Sequence, residues 1–125
     1  MPTFEVLTIE YNPDTNNQCV RTRAIDSNNI LDDFYKYLDC TTVDCVEIEI
    51  DGHSYDIWCD DEGLLVSRPI MTLYLSEAQI ICGNVLFARR KDSETIGLET
   101  DDIIRIGCWL RGNREKLRNF THRKY

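Results

Sequence analysis

Val43-Asp44-Cys45-Val46-Glu47-Ile48-Glu49-Ile50-Asp51-Gly52-His53-Ser54-Tyr55-Asp56-Ile57-Trp58-Cys59 is the stretch that decides the fold. Two alternating runs flank Asp51-Gly52, a dipeptide suited to the two-residue type I′ hairpin turn. Such a turn pairs Ile50 with His53, Ile48 with Tyr55 and Val46 with Ile57, so the large apolar side chains share one face. The same register sets Glu47 across from Asp56 and Glu49 across from Ser54 on the other face. Like charges directly opposite each other destabilise a sheet, so a compensating group is expected there.

Outward from the hairpin, Thr3 to Tyr11 reads as a largely buried strand closed by the turn Asn12-Pro13-Asp14, and Gln18 to Ile25 as a second strand. Asp26 or Ser27 then caps a helix whose Ile30, Leu31, Phe34 and Leu38 share a face, with Asp32 and Asp33 near its positive end. Past the turn Asp60-Asp61-Glu62-Gly63, an apolar stretch interrupted by Pro69 runs to Leu75. Ile80 to Arg90 reads as one strand with Gly83-Asn84 near its start, and Asp92 to Thr95 as a polar loop. Thr100 caps a helix through Ile103, Ile104, Ile106 and Leu110, which Gly112-Asn113 ends or divides from Arg114 to Phe120. The pattern predicts an α+β fold: a mostly antiparallel sheet, one helix after the second strand and a C-terminal helix. It divides the chain into a core domain over residues 1–106 and a basic helical extension over 107–125.

The 125 residues suit one domain, and the net charge of −8 hides a division. Residues 1–104 hold 7 Lys and Arg against 21 Asp and Glu, whereas residues 105–125 hold 7 against 1. An acidic body with a basic tail implies either an anionic partner for the tail or a tail folded onto its own body. The second reading places Arg111, Arg114, Lys116 and Arg118 beside the acidic hairpin face of Glu47, Glu49 and Asp56, or beside another acidic surface of the same assembly. The first makes Arg89, Arg90, Lys91, Arg111, Arg114, Lys116 and Arg118 the anion-binding set, with Trp109, Phe120 and Tyr125 available for stacking on bases.

Catalytic chemistry finds little support. His53 and His122 are the only histidines, and neither neighbours a Ser or Cys in a nucleophile pattern. Cys40, Cys45, His53 and Cys59 raise a zinc reading, but the spacing lacks a second close pair, and core thiols are expected instead. Asp60, Asp61 and Glu62 lack the alternating oxygens of a calcium loop, and no glycine-rich phosphate cradle occurs. No catalytic residue, metal or cofactor is therefore assigned. Neither a signal-peptide pattern near Met1 nor a run of ~20 apolar residues is present, so a cytoplasmic protein without a membrane partner and with six reduced cysteines is expected.

Asp61-Glu62-Gly63-Leu64-Leu65 before Pro69, then Ile81-Cys82-Gly83-Asn84-Val85-Leu86-Phe87, then Gly97-Leu98-Glu99-Thr100-Asp101-Asp102-Ile103 carry a resemblance. In order and spacing, over residues 3 to about 106, the chain resembles the domain of unknown function numbered 3846, small proteins common in phages, plasmids and other mobile elements. It departs from that pattern at Arg68-Pro69-Ile70, where the family often has an Asn beside the Pro, and in the basic tail after Ile106. The resemblance implies origin and fold and brings no catalytic residues. The function expected is that of a non-enzymatic accessory protein that binds a host protein or a small anionic ligand, with counter-defence as a role. Nucleic-acid or nucleotide binding through the basic segment is the first alternative, and a metal-dependent enzyme built on the Cys/Asp region the second.

Overall fold

The computed structural model describes residues 2–62 and 70–124, with the backbone alone for 122–124. Gly63, the apolar run to Pro69 with Arg68, the side chains of His122, Arg123 and Lys124, and Tyr125 lie outside the described residues. So does all of the Asp61–Pro69 family motif after Glu62.

Strands β1 (Thr3–Asn12) and β2 (Asn17–Asp26) are followed by helix α1 (Ile30–Leu38) and the hairpin β3 (Val43–Ile50) and β4 (His53–Asp60). Then come β5 (Met71–Ser76), β6 (Gln79–Cys82), β7 (Val85–Lys91), β8 (Glu94–Ile96) and α2 (Thr100–Lys124). The main sheet has the order β2-β1-β7-β4-β3 with β8 added to β7, β5 and β6 form a separate two-stranded ribbon, and every pairing is antiparallel. The α+β architecture read from the sequence is the one observed.

The hairpin register is the expected one, residue for residue, from Ile50↔His53 through Val46↔Ile57 to Val43↔Asp60. Asp51 and Gly52 take φ of 50° and 81°, the left-handed pair that a type I′ turn requires. A second two-residue turn, Asp92-Ser93 with φ of 51° and 68°, closes β7 onto β8 where the sequence read as a loop. The strand read over Ile80 to Arg90 is in fact two, because Gly83 at φ 85° turns the chain between β6 and β7. Asn84 then ties the turn down: it accepts from the Tyr11 amide at 2.9 Å and donates to the Tyr37 carbonyl at 3.0 Å.

Strand alternation divides the interior into two cores. Leu7, Ile9, Tyr55, Ile57, Val85 and Phe87 point to one face and pack with Leu73 and Ile81 of the ribbon and Ile106 and Leu110 of α2. Val6, Ile25, Leu86 and Ala88 point to the other and pack under Phe34 and Leu38 of α1. Those two fully buried side chains hold α1 in place, each contributing about 1.5–3 kcal/mol by removal from water. The residue preceding α1 is Asn29 rather than the expected Asp26 or Ser27, and it makes no side-chain cap bond. Asp26 instead accepts from the Asn28 amide, and Asp33 reaches back to the Asp26 amide. Asp39, left-handed at φ 53°, ends the helix. Leu31, expected in the core, is 51% exposed.

Helix α2 does not stop at Gly112-Asn113. Asn113 is buried, and its side-chain amide pairs with the Tyr74 backbone, accepting from the N–H at 2.9 Å and donating to the carbonyl at 2.6 Å. The residue that resembles a helix stop therefore serves as a clamp between α2 and β5. At the other end the Asp102 carboxylate accepts from the Glu99 amide at 2.8 Å, so Glu99, not Thr100, precedes the first turn. Ile104 faces outward at 60% exposure.

Candidate functional site

Alternation along β7 separates the three cations read as one group. Arg89 points to the α2 side of the sheet, Arg90 to the α1 side, and Lys91 is exposed at the strand end. Arg90 donates to Asp56 at 3.0 Å, and Asp56 is buried. Arg90 is thus the compensating group that the Glu47–Asp56 juxtaposition demands.

Arg89 belongs to a larger network. Its Nε donates to the Gly97 carbonyl at 2.7 Å and lies 3.3 Å from Asp102, with Glu99 3.7 Å from its Nη2. Asp102 also accepts from the Tyr55 hydroxyl at 2.6 Å and from Arg105 at 3.2 Å, while Arg105 donates to the Tyr55 oxygen at 2.7 Å. Burial alone would raise the Asp102 pKa, but the Tyr55 hydroxyl, the Glu99 amide and the two guanidinium groups outweigh it and hold the carboxyl below its ordinary range. Burial and the bond to Asp102 push the Tyr55 phenol up. Tyr55, Arg89, Asp102 and Arg105 are bonded to one another, so the network fastens the first turns of α2 to β4 and β7.

The cysteines do not converge with His53. Cys45 pairs with Trp58 and Cys59 with Asp44, which places the two thiols on opposite faces of the hairpin, and His53 lies at the turn, six residues from Cys59. Burial, then Asp56, pushes Cys45 up to about 11, and burial, then Asp44, pushes Cys59 up to about 12, so both stay protonated. Among the described residues no three His, Cys, Asp or Glu side chains are grouped to hold a metal ion. All six cysteines are free, but only Cys59 and Cys82 are core residues; Cys108 is exposed on α2.

The tail cations behave differently. Arg111, Arg114 and Arg118 fall at i, i+3 and i+7, one solvent-facing stripe of α2, and Lys116 projects from its flank. All four are exposed, and no ion pair among the described residues reaches them. The tail does not cover the acidic hairpin face, because α2 packs on the face carrying Tyr55 and Ile57, whereas Glu47, Glu49 and Asp56 project toward the α1 side. Of the aromatics read for stacking, Trp109 meets Phe87 edge-on with centroids 6.2 Å apart and Phe120 lies 5.6 Å from Tyr74, while Tyr125 lies outside the described residues. The sequence-read set of seven cations thus splits into two structural arginines, an exposed Lys91 at the strand end and one exposed patch.

No helix among the described residues is long and apolar enough to cross a membrane. Comparison with curated proteins and with solved structures gives no significant match to either. The family pattern described as a domain of unknown function (DUF3846) matches residues 6–110, from the middle of β1 to the Leu110 turn of α2, and the chain belongs to that family.

Proposed function

We propose that this is a non-enzymatic binding protein, an accessory factor of a phage or other mobile element working in the cytoplasm, which engages an acidic surface of a host protein through the outer face of α2. The observation that carries this reading is the stripe of Arg111, Arg114 and Arg118, exposed and without ion pairs among the described residues, on a protein whose Arg23, Arg89, Arg90 and Arg105 are already paired with its own carboxylates. Unpaired guanidinium groups at helical spacing offer bidentate recognition of carboxylates without first breaking an internal bond. An extended nucleic acid fits less well. It would run past the patch onto a body with a balance of −14, and Trp109 and Phe120 pack against Phe87 and Tyr74. The mobile-element origin, and with it a counter-defence use, rests on the family resemblance.

The test compares the wild type with the triple variant Arg111→Glu, Arg114→Glu, Arg118→Glu as immobilised bait in a bacterial lysate at ~0.15 M salt, the regime in which exposed charges beyond about 8 Å are screened. A host protein retained by the wild type and lost from the triple variant supports the reading. Identical capture by both, or tight and steeply salt-dependent binding of a labelled oligonucleotide by the wild type, contradicts it.

A further inference from the structure

A second surface, of opposite sign, lies at the end of the sheet where β1 begins. There the segment after β8 wedges against β1: a Cβ on Gly97 would sit 2.7 Å from the Phe4 Cβ, and the Leu98 amide donates to the Glu5 carbonyl at 2.7 Å. This wedge keeps β7 paired to β1 only over Leu7–Ile9, and the sheet opens beyond it. Three adjoining cavities follow the opening. The first, about 610 Å³, has a mixed lining whose apolar part is Phe4, Leu98 and Ile103 at the start of α2. The second, about 480 Å³, shares Phe4 and Gly97 with it and adds Ile30 and Ile96. The third, about 400 Å³, shares Ser27 and Ile30 with the second and ends at the exposed Leu31.

The same cavities are also lined by the exposed residues Glu5, Asp32, Glu94, Glu99 and Asp101. Of the nearby cations, Arg89 is already held by Gly97, Glu99 and Asp102, and Lys91 lies across from Glu94 at the outer edge. We propose that this furrow is a docking site for a basic amphipathic segment of a partner protein. The apolar part of the lining accepts apolar side chains at several successive positions, and the acidic part selects Lys and Arg on their flanks while repelling anionic surfaces such as nucleic acid. A second copy of this chain is a poor occupant, since its own basic amphipathic segment packs Phe120 against Tyr74 within its own fold. The inference is independent of the α2 stripe, which has the opposite charge and a different partner.

The probe is a fluorescein-labelled helical peptide of leucine and lysine, with a leucine–glutamate peptide of the same pattern as control, titrated against the full chain by anisotropy. The account expects saturable binding of the lysine peptide alone. Leu31→Asp and Glu94→Lys, both at exposed positions that leave the fold intact by circular dichroism, each weaken binding by about tenfold or more, whereas Arg111→Glu, Arg114→Glu, Arg118→Glu does not weaken it. Amide shifts of Leu31, Ile96 and Leu98 on titration locate the peptide in the furrow. No binding, equal binding of the glutamate peptide, or affinity unchanged in both furrow variants overturns the proposal, as does concentration-dependent self-association that the two furrow variants abolish.

Discussion

In the first half of α2, Arg105 donates to the Tyr55 hydroxyl and shares Asp102 with Arg89, whereas in the second half Arg111, Arg114 and Arg118 are exposed and make no ion pair among the described residues. The two halves belong to one uninterrupted helix, Thr100–Lys124, and carry the same kind of cation. What differs is the neighbour. The first half lies over β4 and β7, whose Tyr55 and Arg89 reach it, while the outer face of the second half is exposed at Arg111, Arg114 and Arg118. A count of basic residues therefore says little about which of them a partner can reach. Groups that are buried and mutually bonded contribute to folding, and exposed unpaired groups are free to bind.

The largest effect expected from this contrast is at Asp102. Asp102→Ala removes the shared acceptor of Tyr55, Arg89, Arg105 and the Glu99 amide, and should lower the unfolding free energy by about 2–4 kcal/mol in urea titration, discounted because both arginines are partly exposed. A loss under about 1 kcal/mol would show that the network is dispensable. The same residue sets a pH dependence. Its folded pKa lies below the ordinary 3.8, so its contribution is complete above that value and is lost as pH falls through the lowered one. Wild type should therefore lose stability on acidification below about pH 4 more steeply than Asp102→Asn.

Next comes Asn113. Asn113→Ala strips the Tyr74 backbone of both amide bonds at a buried position and should cost about 2 kcal/mol by the same titration. Hydrogen exchange at the Tyr74 amide should rise with it; an unchanged exchange rate would remove the clamp from the account. A smaller loss, about 1–2 kcal/mol, is expected for Gly52→Val, because the turn needs φ of 81° and a β-branched residue resists it. Nothing lies within 4 Å of a Cβ built at Gly52, so the whole cost is backbone strain, and Gly52→Asn, tolerant of that region, should recover most of it.

Where the sequence was informative, it was so through local rules. The Asp51-Gly52 turn fixes the hairpin register, and strict alternation in β7 already implies that Arg89 and Arg90 cannot share a site. The errors arise where a distant contact overrides a local signal. Gly112-Asn113 reads as a stop until Tyr74 supplies partners for the Asn113 amide, and Ile104 reads as core until α2 is seen to turn that side outward. The break between β6 and β7 was signalled by Gly83-Asn84 but hidden inside an apolar run. The furrow was not legible at all, since it depends on Gly97 closing against Phe4 from the other end of the chain.

The claim that the outer face of the second half of α2 is a binding surface and does not hold the fold together is tested most directly by the stability of Arg111→Glu, Arg114→Glu, Arg118→Glu, measured by urea unfolding at low and at high ionic strength. The account predicts a change within about 0.5 kcal/mol per substitution at either salt concentration, because no described acid pairs with these arginines. A loss of several kcal/mol that is largest at low ionic strength would mean that the stripe holds the acidic body together, and would contradict it.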